Sequence, residues 1–375
     1  MHTAAWPPGP TRVVVDLGQI STNIQALRRL VHVPLMAVIK ADAYGHGAVQ
    51  VARTMQANGV AAFAVATIEE ARCLRHAGIR APILLLGYLP LGQCAAAVEL
   101  DLHCTIFTRE TADCLQAAAA AHGRIARVHL KVDTGMNRLG IPPEEAPTLL
   151  QYLHTCPALA VEGIYTHFSM ADEPDPSFTL LQISRFATLL HQLTQAGLRP
   201  PIAHAANSAG LLRFPQAHLD MVRPGIACYG LDPAPVVPLP AGFAPALSFQ
   251  SEVAQIKEVP PGTPISYGGL FVTQQRSSIA TIPVGYADAL PRTRSWQAVL
   301  VRGQRAPIVG RITMNYTMID CTTIEGVQPG DPVVLIGAQQ HERIAVEEVA
   351  TWLGTISYEV VTTLPTRLPR VYREQ

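Results

Sequence analysis

Eight short apolar runs recur between residues 35 and 230, and amphipathic segments rich in alanine and leucine separate them. The runs lie at 35–40, 61–66, 82–87, 103–107, 128–133, 161–167, 202–208 and 221–229. Helices are predicted between them, among others at 69–77, 109–121, 143–154 and 178–195. Strands that alternate with helices predict a parallel sheet with right-handed crossovers. Eight such units close naturally into a (β/α)8 barrel, which we favour over an open doubly wound sheet.

The composition and the hydrophobic pattern of the sequence change after about residue 235. A proline-rich passage at 231–240 is followed by strand-like segments at 247–259, 277–283, 297–301 and 333–337. A chain of 375 residues is also long enough for two domains. We therefore predict an α/β barrel domain over residues 1–240, followed by a mainly β domain over residues 241–375.

The charge balance argues against nucleic acid as a partner. Lys plus Arg and Asp plus Glu both number 28, so the formal charge is zero, and no basic run is present. Charged residues make up only 15% of the chain. Because about 25% is typical, the low fraction predicts that a partner covers part of the surface.

The seven cysteines indicate a reducing compartment. They are odd in number and show neither a CxxC pair nor metal-ligand spacing. Free thiols of this kind are typical of the cytoplasm. We find no signal-peptide pattern at the N-terminus and no apolar stretch of the roughly 20 residues that a membrane span needs. We expect a cytoplasmic protein without a membrane partner.

Lys40 is the first candidate functional residue, because the first apolar run delivers it into a turn that carries Tyr44 and two glycines. Burying an ammonium beside apolar walls is costly, which lowers the lysine pKa and makes the amine a usable nucleophile. A lysine that reaches water along its stem at a strand end is the alternative interpretation. Other polar residues also follow the predicted strands, at the end of a barrel where active sites are built.

Ser208 and Gly225 predict a phosphate site. They follow or lie in the seventh and eighth runs, where loops offering hydroxyl and N–H groups recurrently bind phosphate in barrels. An ordinary loop is the alternative. Because the first and last strands of a barrel are neighbours, one ligand could touch both Lys40 and this loop. Pyridoxal phosphate (PLP) carries the aldehyde and the phosphate that such a ligand requires.

The segment VIKADAYGHG at 38–47 resembles the cofactor-lysine signature of the alanine racemase family. Further blocks resemble that family in its order: KVDTGMNRLG at 131–140, HFS at 167–169, HAANS at 204–208, RPGI at 223–226, SYG at 266–268 and GRITM at 310–314. The resemblance spans almost the whole chain. It implies a PLP-binding barrel, a β domain, and a head-to-tail homodimer with two shared active sites. The implied activity converts L-alanine to D-alanine, for cell-wall supply or for D-amino-acid breakdown.

The resemblance implies two catalytic groups, Lys40 on one face of the substrate and the partner's Tyr267 on the other. Two different groups explain inversion directly, since racemisation must serve both faces of Cα. Substrate carboxylate contacts are implied for Arg138 and for the backbone N–H of the partner's Met314. The implied cofactor contacts are Lys40, Tyr44, Arg138, His167, Ser208, Arg223, Gly225 and Ile226.

The resemblance also implies electrostatic roles for Arg223, His167 and Lys131. Arg223 is implied to face the pyridine nitrogen, where a guanidinium that keeps its proton leaves that nitrogen unprotonated. This weakens electron withdrawal and favours simple reprotonation over transamination. A phenol is a poor base at neutral pH, and His167 with Arg223 would supply the positive charge that Tyr267 needs. Lys131 matches a lysine that is carbamylated in many relatives and orients Arg138, with unmodified lysine as the alternative.

The chain departs from the family pattern at the substrate entrance. Thr366 stands where a second gate tyrosine is usual, which opens volume beside the substrate side chain. We therefore expect serine or other small amino acids to be accepted better than by a typical member. Asn315 stands in Met-Asn-Tyr instead of the more common Met-Asp-Gln, which puts its family role in doubt. Possible entry-corridor charges, which could also be ordinary surface charges, are Asp172, Arg292 and Arg311.

Three other functions compete with alanine racemisation. A PLP-dependent decarboxylase shares the barrel-plus-β plan, but the chain has no Gly-Cys-Asp-type substrate block. A non-catalytic PLP carrier resembles only the barrel half, and Tyr267 in a β domain argues against it. A broad-specificity racemase of the cell envelope would normally bring a secretion signal.

Overall fold

The computed structural model describes residues 9–293 and 295–374. The chain forms two compact units. The barrel unit is Ile20–Ala244, and the described residues before Ile20 and after Ala244 form the β unit. Among the described residues, no helix combines the length and the apolar character needed to cross a membrane.

The first strand, β1 (Arg12–Asp16), belongs to the β unit, and α1 (Leu17–Leu30) leads into the barrel. Seven parallel strands follow and pair in chain order. They are β2 (Met36–Val38), β3 (Ala62–Val65), β4 (Ile83–Leu85), β5 (His103–Ile106), β6 (Ala126–Lys131), β7 (Leu159–Tyr165) and β8 (Ile202–His204). Met221 bridges to His204 and Val222 bridges to Leu35, which closes the sheet between β8 and β2.

The predicted barrel is therefore confirmed, and the eighth apolar run contributes a short bridge instead of a full strand. Proline lacks an N–H group, so Pro224 cannot donate to a continuing ladder, although its carbonyl accepts a hydrogen bond from the Val38 N–H at 2.8 Å. The chain then turns into a tight helical turn, Ile226–Tyr229.

Helices surround the sheet in the predicted alternation. They are α2 (Lys40–Tyr44), α3 (Ala48–Ala57), α4 (Ile68–His76), α5 (Cys94–Glu99), α6 (Arg109–Ala121), α7 (Ala146–His154), α8 (Ser177–Gln195) and α9 (Ser208–Arg213). Helix α6 shows why they form: the Thr108 hydroxyl caps its first turn, and Ala112, Leu115 and Ala119 are buried on one face. All four helices that the sequence predicts are present.

The β unit holds a ten-stranded sheet. Its remaining elements are β9 (Leu247–Glu252), β10 (Gln255–Val259), β11 (Pro264–Ile265), β12 (Phe271–Val272), β13 (Ser277–Ile282), β14 (Ala298–Val301), β15 (Gln304–Val309), β16 (Thr317–Asp320), β17 (Pro332–Gln339), β18 (Glu342–Ile344), α10 (Val346–Leu353), α11 (Ser357–Thr362) and β19 (Arg370–Arg373). The path runs β10-β13-β16-β15-β14-β17-β9-β1-β19, with β18 beside β17, while β11 and β12 form a separate hairpin. The segment predicted at 247–259 is two strands, because β9 pairs with β1 and β17 whereas β10 pairs with β13.

The observed division differs from the predicted boundary at the N-terminus. The predicted first domain, 1–240, includes β1, but β1 runs antiparallel to β9 and parallel to β19. Val13, for example, lies opposite both Phe249 and Arg370. The partners of β1 come from the far end of the chain, so local sequence patterns carry no sign of the pairing.

Gly230→Ala is expected to destabilise the barrel unit by about 2–4 kcal/mol. Gly230 has φ +73°, and a Cβ there would lie 1.7 Å from the Ala244 carbonyl oxygen. The matched control is Gly78→Ala, at φ +86° with open space around it, which should cost only about 1 kcal/mol. Urea unfolding of both variants measures the difference, and equal losses would contradict the steric argument.

Candidate active site

The turn that places Lys40 has an unusual backbone. Ile39 separates Lys40 from β2, and the four residues after Lys40 are left-handed, with φ of 51° at Ala41 and 53° at Asp42, Ala43 and Tyr44. Each costs roughly 1–2 kcal/mol in this conformation, so neighbouring groups must hold the turn. One of them is the Asp42 carboxylate, which accepts a hydrogen bond from the Ala48 N–H at 2.8 Å.

Glu70 holds the same turn from the next βα unit. Its Oε1 accepts a hydrogen bond from the Ala41 N–H at 2.6 Å. Its Oε2 accepts from the Ala66 N–H at 2.7 Å and the Thr67 N–H at 3.2 Å, and the Thr67 hydroxyl caps the Glu70 N–H. One carboxylate therefore joins the start of α4 to the turn that positions Lys40.

The environment of Lys40 lowers the pKa of its amine. Burial lowers the pKa of the amine, the Arg138 guanidinium lowers it further, and Glu70 opposes them. A neutral amine has a free lone pair, which is the reactive form for covalent bonding to an aldehyde.

Hydroxyl and backbone N–H groups converge beside the closing strand. The Ser208 Oγ accepts hydrogen bonds from the Gly225 N–H at 2.9 Å and the Ala227 N–H at 3.3 Å. A Cβ on Gly225 would lie 2.6 Å from the Tyr44 hydroxyl, so glycine allows that hydroxyl to approach the loop. Ile226 begins the buried turn that follows. Gly225 lies two residues from Arg223, and the preceding Pro224 accepts from Val38, the last residue of β2 and two residues before Lys40.

Arg223 is buried and held from three sides. Its Nη1 donates to His204 Nδ1 at 2.7 Å, while its Nη2 donates to the carbonyls of Thr166 and Ala205 at 2.8 and 2.9 Å. Its Nη2 also lies 3.2 Å from His167 Nδ1. Burial lowers the pKa of Arg223 to about 10, so it remains a cation at neutral pH. Such a fixed guanidinium is a permanent hydrogen-bond donor.

His167 acts as an acceptor in this arrangement. Burial, and then the Arg223 charge, lower the pKa of His167 well below its ordinary value. The imidazole is therefore neutral, and the fixed positive charge beside it comes from Arg223. This refines the sequence-based expectation, in which both residues supplied positive charge.

Lys131 and Arg138 flank the same region. The Lys131 Nζ lies 4.5 Å from the centre of the Tyr165 ring, and burial, Arg223 and Arg138 lower the pKa of Lys131 to about 7. The Asp133 carboxylate organises the following loop by accepting from the Gly135 and Met136 N–H groups, each at 2.8 Å. The exposed Arg138 stands on this loop.

Lys131→Met is expected to flatten the pH dependence of stability between pH 7 and 9. Lys131 has a pKa of about 7 when folded against an ordinary value of 10.5, so unfolding in this window takes up a proton. The wild-type free energy of unfolding should therefore rise with pH, by up to about 1.4 kcal/mol per unit, and this contribution is lost as pH falls towards 7. Urea unfolding in CO2-free buffer tests this, because a carbamate would be lost there. Equal pH slopes for both proteins would contradict it.

The predicted residues of the β unit lie on one connected surface. Ser266 Oγ donates to the Arg311 carbonyl at 2.6 Å, which fixes the turn carrying Tyr267. The N–H groups of Tyr286 and Ala287 donate to the carbonyls of Thr313 and Met314, both at 3.0 Å. We call the exposed side chains of these loops the aromatic face, which comprises Tyr267, Tyr286, Met314 and Tyr316. Tyr267 is 67% exposed.

The remaining predicted positions are mostly exposed. Asn315 lies between two members of the aromatic face. Thr366 precedes Arg367, whose Nη2 lies 2.9 Å from Asp288 Oδ1 in the Tyr286 loop. Arg311 is half-buried, whereas Asp172 and Arg292 are exposed in the manner of ordinary surface charges.

Four buried or structural residues near the site were missed at the level of sequence. Glu70 could have been found, because Thr67-x-x-Glu70 is a capping-box pattern. His129 and His204 stand inside apolar runs, where a histidine needs a polar partner. Tyr165 gives no local signal, yet it stacks on His204 at 4.8 Å and bonds the Thr105 hydroxyl at 2.8 Å.

A parallel barrel with a lysine after its first full strand, together with a separate mainly β unit, is the architecture of a class of amino-acid racemases. The model "Alanine racemase, N-terminal domain" matches residues 15–233, and "Alanine racemase, C-terminal domain" matches residues 246–372. The chain therefore belongs to the alanine racemase family.

Individual relatives agree with this assignment. The chain is 47% identical to an alanine racemase of Symbiobacterium thermophilum, over 97% of both chains. Its fold is similar to that of alanine racemase from Clostridium difficile 630, with a TM-score of 0.94 and 36% identity over 98% of this chain and 96% of that one. It is also similar to a histidine racemase from Leuconostoc mesenteroides subsp. sake, with a TM-score of 0.91 and 28% identity over 98% and 99% of the two chains.

Proposed function

We propose that this protein is a PLP-dependent racemase that interconverts L- and D-alanine. The observation that carries the proposal is the juxtaposition of Lys40 with the Ser208 and Gly225 loops across the barrel closure, joined by the Val38–Pro224 hydrogen bond. The membership of the alanine racemase family supports the same activity.

The residues on these strands fit PLP chemically. A hydroxyl at Ser208, a hydroxyl at Tyr44 and the backbone at Gly225 suit a phosphate group. An amine with a lowered pKa at Lys40 suits an aldehyde, and a donor-only guanidinium at Arg223 suits an unprotonated pyridine nitrogen. When bound, PLP supplies the electron withdrawal that makes the α-proton of an amino acid acidic.

The protein's own groups then hold and move the proton. Lys40 Nζ serves one face of the substrate Cα, and the hydroxyl of Tyr267 serves the other, each as base in one direction and as acid in the reverse one. Arg223 keeps its proton, because its pKa of about 10 lies well above neutral pH. Arg138 binds the substrate carboxylate, with Lys131 orienting it. His167 accepts from Arg223 and keeps that cation in place.

We propose further that the active enzyme is a head-to-tail homodimer, with Tyr267 and Met314 facing the partner's Lys40. The aromatic face supports this, since three hydrogen-bonded loops of the β unit leave large apolar and aromatic side chains exposed together. Such patches typically mark protein interfaces. The low charged fraction of 15% agrees with a covered surface.

Thr366 bears on which side chains the substrate can carry. The chain is similar both to alanine racemases and to a histidine racemase, so the fold alone does not fix the substrate. We propose that threonine here leaves room for serine. Thr366→Tyr is expected to raise the preference for alanine over serine about tenfold in kcat/KM, because lost volume penalises the larger substrate. Thr362→Tyr, on an exposed helix end, is the control, and an unchanged preference in Thr366→Tyr would contradict the idea.

Incubation of the PLP-loaded protein with L-alanine in deuterated water tests the proposed function. Proton NMR follows loss of the α-proton, and chiral chromatography follows the enantiomer ratio. Deuterium at Cα together with a one-to-one mixture is the expected result. Exchange with retained configuration would leave only one working base, and no exchange would favour a carrier or a decarboxylase. The cytoplasmic location predicted from the cysteines stays a prediction.

A further inference from the structure

A line of polar side chains runs through the interior of the barrel, from Arg223 towards the opposite end of the strands. His204 accepts from Arg223 through Nδ1, and its Nε2 lies 2.9 Å from His129 Nδ1. His129 Nε2 in turn lies 3.3 Å from His103 Nδ1. His103 is the first residue of β5, and its Nδ1 lies 3.5 Å from Glu162 Oε2. His129, His103 and Glu162 have no role in the proposed reaction.

The backbone around His129 and Glu162 is shaped for these side chains. The pairing of β6 with β7 shifts register between Val128 and His129, so Glu162 is the extra residue of a bulge. Bulges re-aim side chains and are frequent beside functional sites. A Cβ on Gly163 would lie 2.2 Å from His129 Nδ1, so only glycine leaves room for the imidazole.

Two of the three separations within this cluster match the ligand spacing of a zinc ion. The ligand atoms of His103, His129 and Glu162 all lie within 4.8 Å of one another. Two ligands of tetrahedral zinc, each about 2.0–2.1 Å from the metal, stand about 3.3–3.4 Å apart. The 3.3 Å and 3.5 Å separations at His103 Nδ1 agree with that spacing.

A metal ion could reach this cluster from solvent, where Arg127 would compete with it for Glu162. The Glu162 side chain is one-third exposed and that of His103 is 12% exposed, which gives an ion a route from solvent, whereas His129 is buried. Arg127 Nε binds Glu162 through Oε1 at 3.0 Å, and Arg127 is itself paired with Asp101. The Glu162 Oε2 atom faces His103, so one carboxylate oxygen is directed at the cluster while Oε1 binds Arg127.

We propose that His103, His129 and Glu162 bind a divalent transition-metal cation such as Zn²⁺, and that occupation of this site opposes the hydrogen bond between Arg223 and His204. Two imidazoles and a carboxylate are a ligand set that Zn²⁺ accepts, with water in a fourth position.

A bound metal opposes the Arg223–His204 hydrogen bond because it changes which ring nitrogen of His129 and of His204 carries the proton. Arg223 only donates, so neutral His204 carries its proton on Nε2 and donates to His129 Nδ1. His129 then carries its proton on Nε2 and directs it at His103. A metal on His129 Nε2 requires a lone pair there, which moves the proton to Nδ1 and reverses its bond with His204. His204 would then present an N–H to Arg223 at 2.7 Å, and two donors at that distance must separate.

Calorimetric titration of the PLP-loaded protein with Zn²⁺ tests the site. One ion per chain is expected for the wild type, with affinity at least tenfold lower in His103→Ala and in Glu162→Gln, the latter a substitution that keeps the side-chain shape. His122→Ala is the matched control, because His122 also lies near a glutamate, Glu99 at 3.9 Å, in a more exposed setting. Absence of wild-type binding, or an equal loss in His122→Ala, would overturn the proposal.

The link to Arg223 is tested by His204→Ala. This substitution removes the His204 imidazole, whose N–H would otherwise face the Arg223 guanidinium when the metal is bound. Zn²⁺ affinity is therefore expected to rise about tenfold. Unchanged or weaker binding would overturn the opposition between the metal and the Arg223–His204 bond. The titration reads binding and not turnover, so its result stands apart from the success or failure of the proposed racemase activity.

Discussion

Lys40→Ala is expected to lower kcat/KM for alanine racemisation by at least about 10⁴-fold, because it removes both the proposed covalent anchor of the cofactor and one of the two proposed proton-transfer groups. The chain has three lysines, Lys40, Lys131 and Lys257. Lys257→Ala, on an exposed position of β10, is the control and should retain wild-type activity. The α-proton exchange measurement in deuterated water quantifies the loss.

Because the chain has only three lysines, the lysine that binds PLP covalently can be identified directly. Borohydride reduction of the PLP-loaded wild type, followed by peptide mass mapping, should place the pyridoxyl mass on the peptide that contains Lys40. The position of Lys40 beside the Ser208 and Gly225 loops, across the barrel closure, is the reason for this selectivity. Lys131 also has a lowered pKa, so labelling of Lys131 in place of Lys40 would refute the assignment.

Tyr267→Phe is expected to reduce racemisation about 10³-fold while leaving exchange on the face that Lys40 serves. L- and D-alanine should consequently behave differently, with one enantiomer gaining deuterium without inversion. Tyr316→Phe, an exposed tyrosine of the same aromatic face, is the control. Racemisation that survives in Tyr267→Phe would remove Tyr267 from the proposed mechanism.

The same two variants test whether the active sites are shared. In a head-to-tail dimer, a mixed pair of Lys40→Ala and Tyr267→Phe chains contains one intact site and one doubly altered site. Unfolding and refolding an equal mixture should therefore restore about a quarter of wild-type activity. If each site used Lys40 and Tyr267 of one chain, no mixed pair would contain an intact site, and the mixture would stay inactive.

The barrel was predictable from sequence because its signal is local and periodic. Each parallel strand is buried on both faces, so it appears as a short apolar run, and each crossover helix shows a one-sided apolar pattern. The polar residues Lys40, Lys131 and Arg223 were conspicuous for the same reason, since each interrupts or ends such a run. The resemblance to a known family then added roles that periodicity could not supply.

What escaped prediction depends on contacts between distant residues. The place of β1 between β9 and β19 joins the two ends of the chain. The left-handed turn after Lys40 runs against the preference of alanine and aspartate, and it exists because Asp42 and Glu70 hold it. The line from Arg223 through His204 to His129 joins the closing segment of the barrel to β8 and β6, and no single segment of the sequence records it.

Glu70 has two structural roles, and this limits the substitutions that the enzyme can tolerate at that position. The carboxylate that starts α4 is the one that binds the Ala41 N–H, so helix stability and lysine placement share a single side chain. A substitution that a helix would tolerate at this position, such as glutamine, loses the negative charge that opposes the lowered pKa of Lys40. Heat or denaturant that frays the first turn of α4 should likewise release the turn that positions Lys40 before the barrel unfolds, so inactivation would precede loss of structure.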